Sequence, residues 1–169
     1  VTRTLRTPLA PEVSFSDDPL RMLRAARFIA RLQATPVPEL VEAVRSMSSR
    51  LEIVSAERVR DELDKLITLP HPSAGLWFAI ETGLADQFLP ELPGMQLEQD
   101  PLHRHKDVLT HTLAVMENVR PPAEQPAGGP PFDYRRTRLA ALFHDVGKPR
   151  TRGYQKGKGV TFHHHDAVG

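Results

Sequence analysis

The 169-residue sequence contains no cysteine, which excludes disulfides and thiolate metal sites and fits a reducing compartment. It also lacks a bias of charge. Its 22 Lys+Arg against 21 Asp+Glu leave a formal net charge of +1, so affinity for nucleic acid has to come from local clustering. No apolar run approaches the roughly 18 residues of a membrane span, and the N-terminus has no signal-peptide h-region, so a cytoplasmic location without membrane contact is expected. Internal repeats are missing. Strand patterning is missing too, apart from a weakly alternating lead-in over residues 1–16 and the short GVTFHH at 159–164. What remains is 40% hydrophobic content, enough for a core. The chain starts at Val1 and stops inside HHHDAVG, and we expect both ends to be cut from a longer protein.

The hydrophobic periodicity is helical. Asp18-Pro19 reads as a helix start, an acid at the N-cap with proline at the first helical position, and the helix is expected to reach about Leu32. Pro38 opens a second helix with Leu40, Val41, Val44 and Met47 at helical spacing. The third is signalled by Ser55 as N-cap and by Val54 and Val59 as a hydrophobic staple, and runs toward Pro70. A fourth spans Ser73 to Thr82, with Gly83 as its stop. Residues 106–119 form an amphipathic helix, RPPAEQPAGGPP reads as a flexible connector, and RRTRLAALFHDVGKP is a helix expected to end at Gly147. The expected fold class is therefore all-α.

SFSDDPLRMLRAARF, residues 14–28, carries the first candidate site. At about 100° per residue, Arg21, Arg24, Arg27 and Arg31 share one stripe. The opposite arc collects Met22, Leu23, Ala25, Ala26, Ile29, Ala30 and Leu32 as a core face. Leu20 and Phe28 fall on the basic side, where apolar groups beside guanidinium planes suit a flat ligand. Asp18 and Arg21 are three apart and so are neighbours on the surface. A carboxylate accepting an amino hydrogen beside a guanidinium donating to a ring nitrogen matches the edges of cytosine and adenine, and mismatches the carbonyls of guanine and uracil. The plainer reading is that Asp18 caps the helix and the arginines form a solvated face.

SDDPLRMLRAARF, followed by SAERVRDELDKLI at 55–67, resembles the neck of class II CCA-adding tRNA nucleotidyltransferases and the related bacterial poly(A) polymerases. That resemblance extends over residues 14–169. It implies that Asp18 and Arg21, with Arg24 and Arg27 alongside, contact the nucleotide and select CTP and ATP, and that Glu57, Arg58 and Glu62 form a structural motif bracing the template helix. It also implies tRNA as partner and Mg²⁺ as the transferase cofactor. The head domain whose paired aspartates hold that Mg²⁺ should precede residue 14, and VTRTLRTPLAPEV does not supply it, so the chain alone is not expected to transfer nucleotides.

The histidines carry the second candidate site. An adjacent His144-Asp145 pair at the end of an apolar helix suggests a metal shell, because a buried carboxylate needs a cation. With His111 upstream, the arrangement resembles the HD phosphohydrolase superfamily. That resemblance implies a divalent metal (Ni²⁺, Mn²⁺ or Mg²⁺) on His111, His144 and Asp145, with His165 as the further histidine of a larger metal site. Lys148 stands close enough in sequence to offer charge to phosphate. His163, His164, His103 and His105 read as surface residues near the site, and His71 as a loop residue.

The expected organisation is a linker over 1–16, a helical neck and body over 17–98, and the N-terminal part of an HD domain over 99–169. The leading functional expectation is a portion of a tRNA nucleotidyltransferase that adds CCA to tRNA 3′ ends. The alternative is a stand-alone HD-type metal-dependent phosphohydrolase. A third reading is a helical module gripping RNA backbone through Arg21 to Arg31 and Arg135, Arg136 and Arg138.

Overall fold

The computed structural model describes residues 3–97, 107–125, 132–157 and 159–169. Its elements are mostly helical, in two compact units, Val1–Pro90 and Glu91–Gly169. The boundary expected at 98/99 lies outside the described residues, as do His103, His105 and the PAGGPP part of the connector.

In the first unit, β1 (Thr4–Leu5) is followed by α1 (Pro11–Asp17), α2 (Leu20–Leu32) and β2 (Thr35–Pro36). The lead-in is thus not simply extended. Pro11 sits at a helix start, where a missing N–H is harmless, and Glu12 in the first turn suits the positive end of the helix. Strands β1 and β2 pair in parallel, with Thr4 opposite Thr35 and Leu5 opposite Pro36, so the lead-in is anchored at the far end of α2. α3 (Pro38–Met47) runs into a 3₁₀ segment, Ser48–Ile53, and is followed by α4 (Ala56–Ile67) and α5 (Ser73–Glu81). Gly83 takes the left-handed conformation, at φ 71°, that ends α5.

α2 is the central helix and packs against α4 and α5. Met22, Leu23, Ala26, Ile29 and Ala30 are buried, which follows from their shared arc. Leu20, assigned to the basic side, is buried as well, and Leu32, assigned to the core face, is exposed at the helix end. Close approach of α5 depends on Gly75, where an added Cβ would collide with the Ala26 carbonyl oxygen and lie 2.8 Å from Leu66 Cδ1. A helical glycine is unfavourable by about 1 kcal/mol, offset here by backbone-to-backbone packing.

The second unit comprises α6 (Glu91–Gly94), α7 (Val108–Asn118), α8 (Tyr134–Phe143), α9 (Lys148–Thr151), β3 (Arg152–Gln155), β4 (Gly159–Phe162) and α10 (His165–Val168). α7 and α8 pack together around Leu109, Leu113, Met116 and Leu142. Each is capped by an aspartate: Asp107 accepts from the Thr110 N–H at 2.9 Å and Asp133 from the Arg136 N–H at 3.0 Å. The last helix does not run on to Gly147. It stops at Phe143, and Pro149 lies in the first turn of the short α9. β3 and β4 form an antiparallel hairpin pairing Arg152 with Phe162 and Tyr154 with Val160. Gly157 and Gly159, at φ 85° and 78°, supply its turn.

Candidate functional site

Two candidate sites are built on these units. In the first, Asp18 occupies the junction where α1 stops and α2 starts. Its Oδ1 accepts from the Leu20 N–H at 3.3 Å, as a cap does. Arg58 of α4 donates through Nη2 to both Asp18 oxygens, at 3.2 and 3.1 Å. The carboxylate is thereby fixed while its side chain stays 24% exposed. Arg21 turns toward α1: its Nη1 donates to the carbonyl and the hydroxyl of Ser14, both at 3.2 Å, and lies 3.7 Å from Asp17 Oδ2. Asp18 and Arg21 thus stand at one junction, each steadied from a different side.

The rest of the arginine stripe divides. Arg24 is exposed and, with Arg21, Ala25, Phe28 and Leu5, lines a cavity of about 360 Å³ beneath the lead-in. Arg27 is drawn into the packing instead. Its Nε donates to Glu62 Oε2 at 2.7 Å, with the Arg27 side chain 11% exposed and that of Glu62 8%. Lys65 Nζ holds the other oxygen at 3.0 Å. Burial raises the Glu62 pKa, but the hydrogen bonds from Arg27 and Lys65 outweigh it and hold the carboxyl below its ordinary value. Glu57 is also lowered, by its own backbone N–H and then by the Ser55 hydroxyl at the start of α4. Glu57 therefore belongs to the α4 cap, whereas Arg58 and Glu62 reach α2. The partnership of Arg27 with Glu62, 35 residues apart, has no local signal in the sequence.

In the second unit, Asp145 is 2% exposed in its side chain and is the centre of the histidine cluster. Its Oδ2 lies 3.1 Å from His144 Nε2 and 3.9 Å from His111 Nε2, and its Oδ1 lies 3.7 Å from His165 Nε2. One ligand atom each from His111, His144 and Asp145 fall within 4.8 Å of one another. Local structure explains the convergence. Asp107 caps α7 and sets His111 in its first turn, His144 ends α8, and β4 delivers His165 into α10. Gly147 makes room for that last approach, because a Cβ there would collide with the His165 carbonyl oxygen.

The donor chemistry fits a divalent cation. His144 Nδ1 is 2.8 Å from the Ala141 carbonyl, and His165 Nδ1 is 2.9 Å from the Phe162 carbonyl. A carbonyl only accepts, so each Nδ1 carries a hydrogen, which leaves Nε2, on the Asp145 side, as the ring nitrogen that could ligate a metal. Imidazole nitrogens around a buried carboxylate suit a first-row divalent ion. Lys148 Nζ lies 2.7 Å from Asp145 Oδ2, which supplies the carboxylate with a counter-charge. His163, His164 and His71 are exposed. Arg138 is fully buried, against the Tyr134 ring, and so cannot grip an RNA backbone as the third sequence reading required.

These features define a helical segment with a braced Asp18–Arg21 junction, joined in one chain to a domain whose histidine–aspartate cluster has the donor set for a metal ion. Residues 35–95 match the probable RNA- and SrmB-binding site of polymerase A, and residues 108–169 match the HD domain. The A-adding tRNA nucleotidyltransferase of Deinococcus radiodurans is 38% identical, over 99% of this chain and 38% of its own length. The CC-adding tRNA nucleotidyltransferase of Halalkalibacterium halodurans is 40% identical over 58% of this chain and 25% of its own length. The Multifunctional CCA protein of Pasteurella multocida is 34% identical over 82% of this chain and 34% of its own length. The chain belongs to the family of tRNA nucleotidyltransferases and bacterial poly(A) polymerases, of which it contains the neck-and-body region and an HD domain. It spans between a quarter and two fifths of the length of these relatives.

Proposed function

We propose that this chain is the base-selecting and RNA-holding portion of a tRNA nucleotidyltransferase acting on tRNA 3′ ends in the cytoplasm with CTP and ATP, coupled to a metal-dependent phosphohydrolase site. The observation that carries the first half is the double anchoring of Asp18 by Arg58 and the Leu20 N–H. A base-reading carboxylate has to hold still against the pull of each incoming base, and an exposed carboxylate with only solvent around it does not. Asp18 accepts the amino hydrogen of cytosine or adenine, and Arg21 donates to the adjacent ring nitrogen. Arg24 adds positive charge at the neighbouring cavity. Arg27 acts as a positioning residue, fixing α2 on α4 through Glu62. Nucleotidyl transfer itself requires Mg²⁺ held by carboxylates of a head domain in the parent protein.

In the second site His111, His144, Asp145 and His165 hold Ni²⁺, Mn²⁺ or Mg²⁺, which when bound supplies Lewis-acid activation for phosphoester hydrolysis. Lys148 neutralises Asp145 and stands ready to face a phosphate.

The base-reading role is tested by single-turnover incorporation in the full-length protein. Asp18→Ala is expected to lower the preference for CTP and ATP over GTP and UTP by at least about ten-fold, on the scale of one bidentate base contact. Unaltered selectivity in a folded variant refutes the role.

A further inference from the structure

Between Asp145 and Asp166 the sequence contains five basic residues and no acidic one. Four of the five lie on described residues: Lys148, Arg150, Arg152 and Lys156. The β3–β4 hairpin in this stretch also carries an aromatic side chain in an unusual place. Tyr154 is 72% exposed, and every residue of β3 is exposed. A large aromatic ring left in water on a cationic arm has no part in the core, and nothing in the metal chemistry uses it.

The register shows where that ring points. Residues directly opposite one another in an antiparallel pair share a face, so Tyr154 with Val160, and Arg152 with Phe162, lie on one side of the hairpin. Phe162 locates that side, because Lys148 Nζ sits 5.8 Å from its ring centroid and 2.7 Å from Asp145 Oδ2. The Phe162 carbonyl also meets His165 Nδ1 at 2.9 Å. The face that bears Tyr154 is therefore the face on which the Phe162 ring meets Lys148, the lysine paired with Asp145. Two residues along a strand span roughly 7 Å, so Tyr154 stands about one nucleotide's reach from the Phe162 end of the arm.

From this we infer that the β3–β4 hairpin is the substrate-reading arm of the metal centre and binds the unpaired end of an RNA strand. Tyr154 stacks on a base, and Arg152 and Lys156 attract the flanking phosphates. The phosphoester one step along the strand is then brought to Lys148 and the cluster around Asp145. An aromatic platform among cations is the general device for holding single strands, tolerant of sequence because every base has a π-face. The delivery step rests on the reading of the cluster as a phosphoester-hydrolysing centre, whereas the binding step does not.

The test uses the 169-residue chain and a fluorescent single-stranded RNA hexamer ending in a 3′-phosphate, with binding measured without added metal. Tyr154→Ala is expected to weaken binding by roughly 5- to 150-fold, and Tyr154→Trp to restore it. Lys156→Gln is expected to weaken it more modestly and to flatten the salt dependence by about one unit of slope. Equal affinity of Tyr154→Ala and the wild type, or equal affinity for a blunt RNA duplex, overturns the proposal. A parallel measurement of Mn²⁺-dependent hydrolysis separates the two readings. If p-nitrophenyl phosphate and the hexamer are both cleaved and Tyr154→Ala impairs only the hexamer, delivery is supported. If the wild type cleaves neither while Tyr154 still governs binding, the hydrolytic reading and delivery fail and the hairpin stands as an RNA contact alone.

Discussion

Arg27 of α2 and Glu62 of α4 form a nearly buried ion pair, with Nε and Oε2 2.7 Å apart, and Lys65 completes it from the solvent side. The pair ties α2 to α4. Removing the acid alone strands a guanidinium that is 11% exposed. Glu62→Ala is therefore expected to lower unfolding stability by about 3 kcal/mol, the scale for breaking one side of a buried pair. Urea denaturation measures it. A cost below about 0.5 kcal/mol, as at an ordinary surface site, contradicts the brace.

The same pair gives a pH dependence whose sign follows from the lowered pKa of Glu62. A carboxyl held lower in the folded state than in the unfolded one contributes stability while it is ionised in both. That contribution is complete above the ordinary glutamate pKa of about 4.3, and is lost as pH falls through the folded value. Acid titration of the melting temperature is expected to drop less steeply below about pH 4 in Glu62→Gln than in the wild type. Parallel curves sink the assignment.

Much of this architecture is legible in the residues themselves. The stripe of Arg21, Arg24 and Arg31, the helix start at Pro38 and the stop at Gly83 all follow from local chemistry acting within one turn, whereas α2 begins at Leu20, one residue after the expected Pro19, which takes the N-cap position. The misread parts depend on partners further away or on residues with two meanings. Pro11 breaks a strand but also begins a helix, and in α1 it does the latter. Arg27 shares the arginine periodicity, yet Glu62 pulls it inward from another helix. The hairpin is hidden because RGYQKGKGV is diluted by glycine and lysine, whose turn-forming role shows only in the positive φ of Gly157 and Gly159. The histidine cluster needs α7, the end of α8 and α10 to converge, so spacing alone suggests ligand types while the fold brings them together.

Gly147 provides a test of that convergence. A Cβ at this position would collide with the His165 carbonyl oxygen and lie 2.8 Å from the Gly169 nitrogen, both backbone atoms that cannot rotate away. Gly147→Ala is expected to push α10 outward and withdraw His165 from Asp145. Calorimetric titration with Mn²⁺ should show at least about ten-fold weaker binding, comparable with losing a residue that orients a ligand. Wild-type affinity in this variant removes His165 from the centre.

The ligand set makes a sharper prediction for His144, whose Nε2 lies 3.1 Å from Asp145 Oδ2 and whose Nδ1 is held by the Ala141 carbonyl. Binding to the folded state alone raises the melting temperature in proportion to affinity and concentration, so added Ni²⁺ or Mn²⁺ should stabilise the wild type. His144→Ala removes a donor and should abolish most of that rise, whereas His163→Ala, altering an exposed histidine, should leave it intact. Stripping the metal with a chelator should return the wild type to the melting temperature it shows before metal is added. Comparable stabilisation of both variants would place the ion on exposed histidines instead, because only a site centred on Asp145 distinguishes His144 from His163.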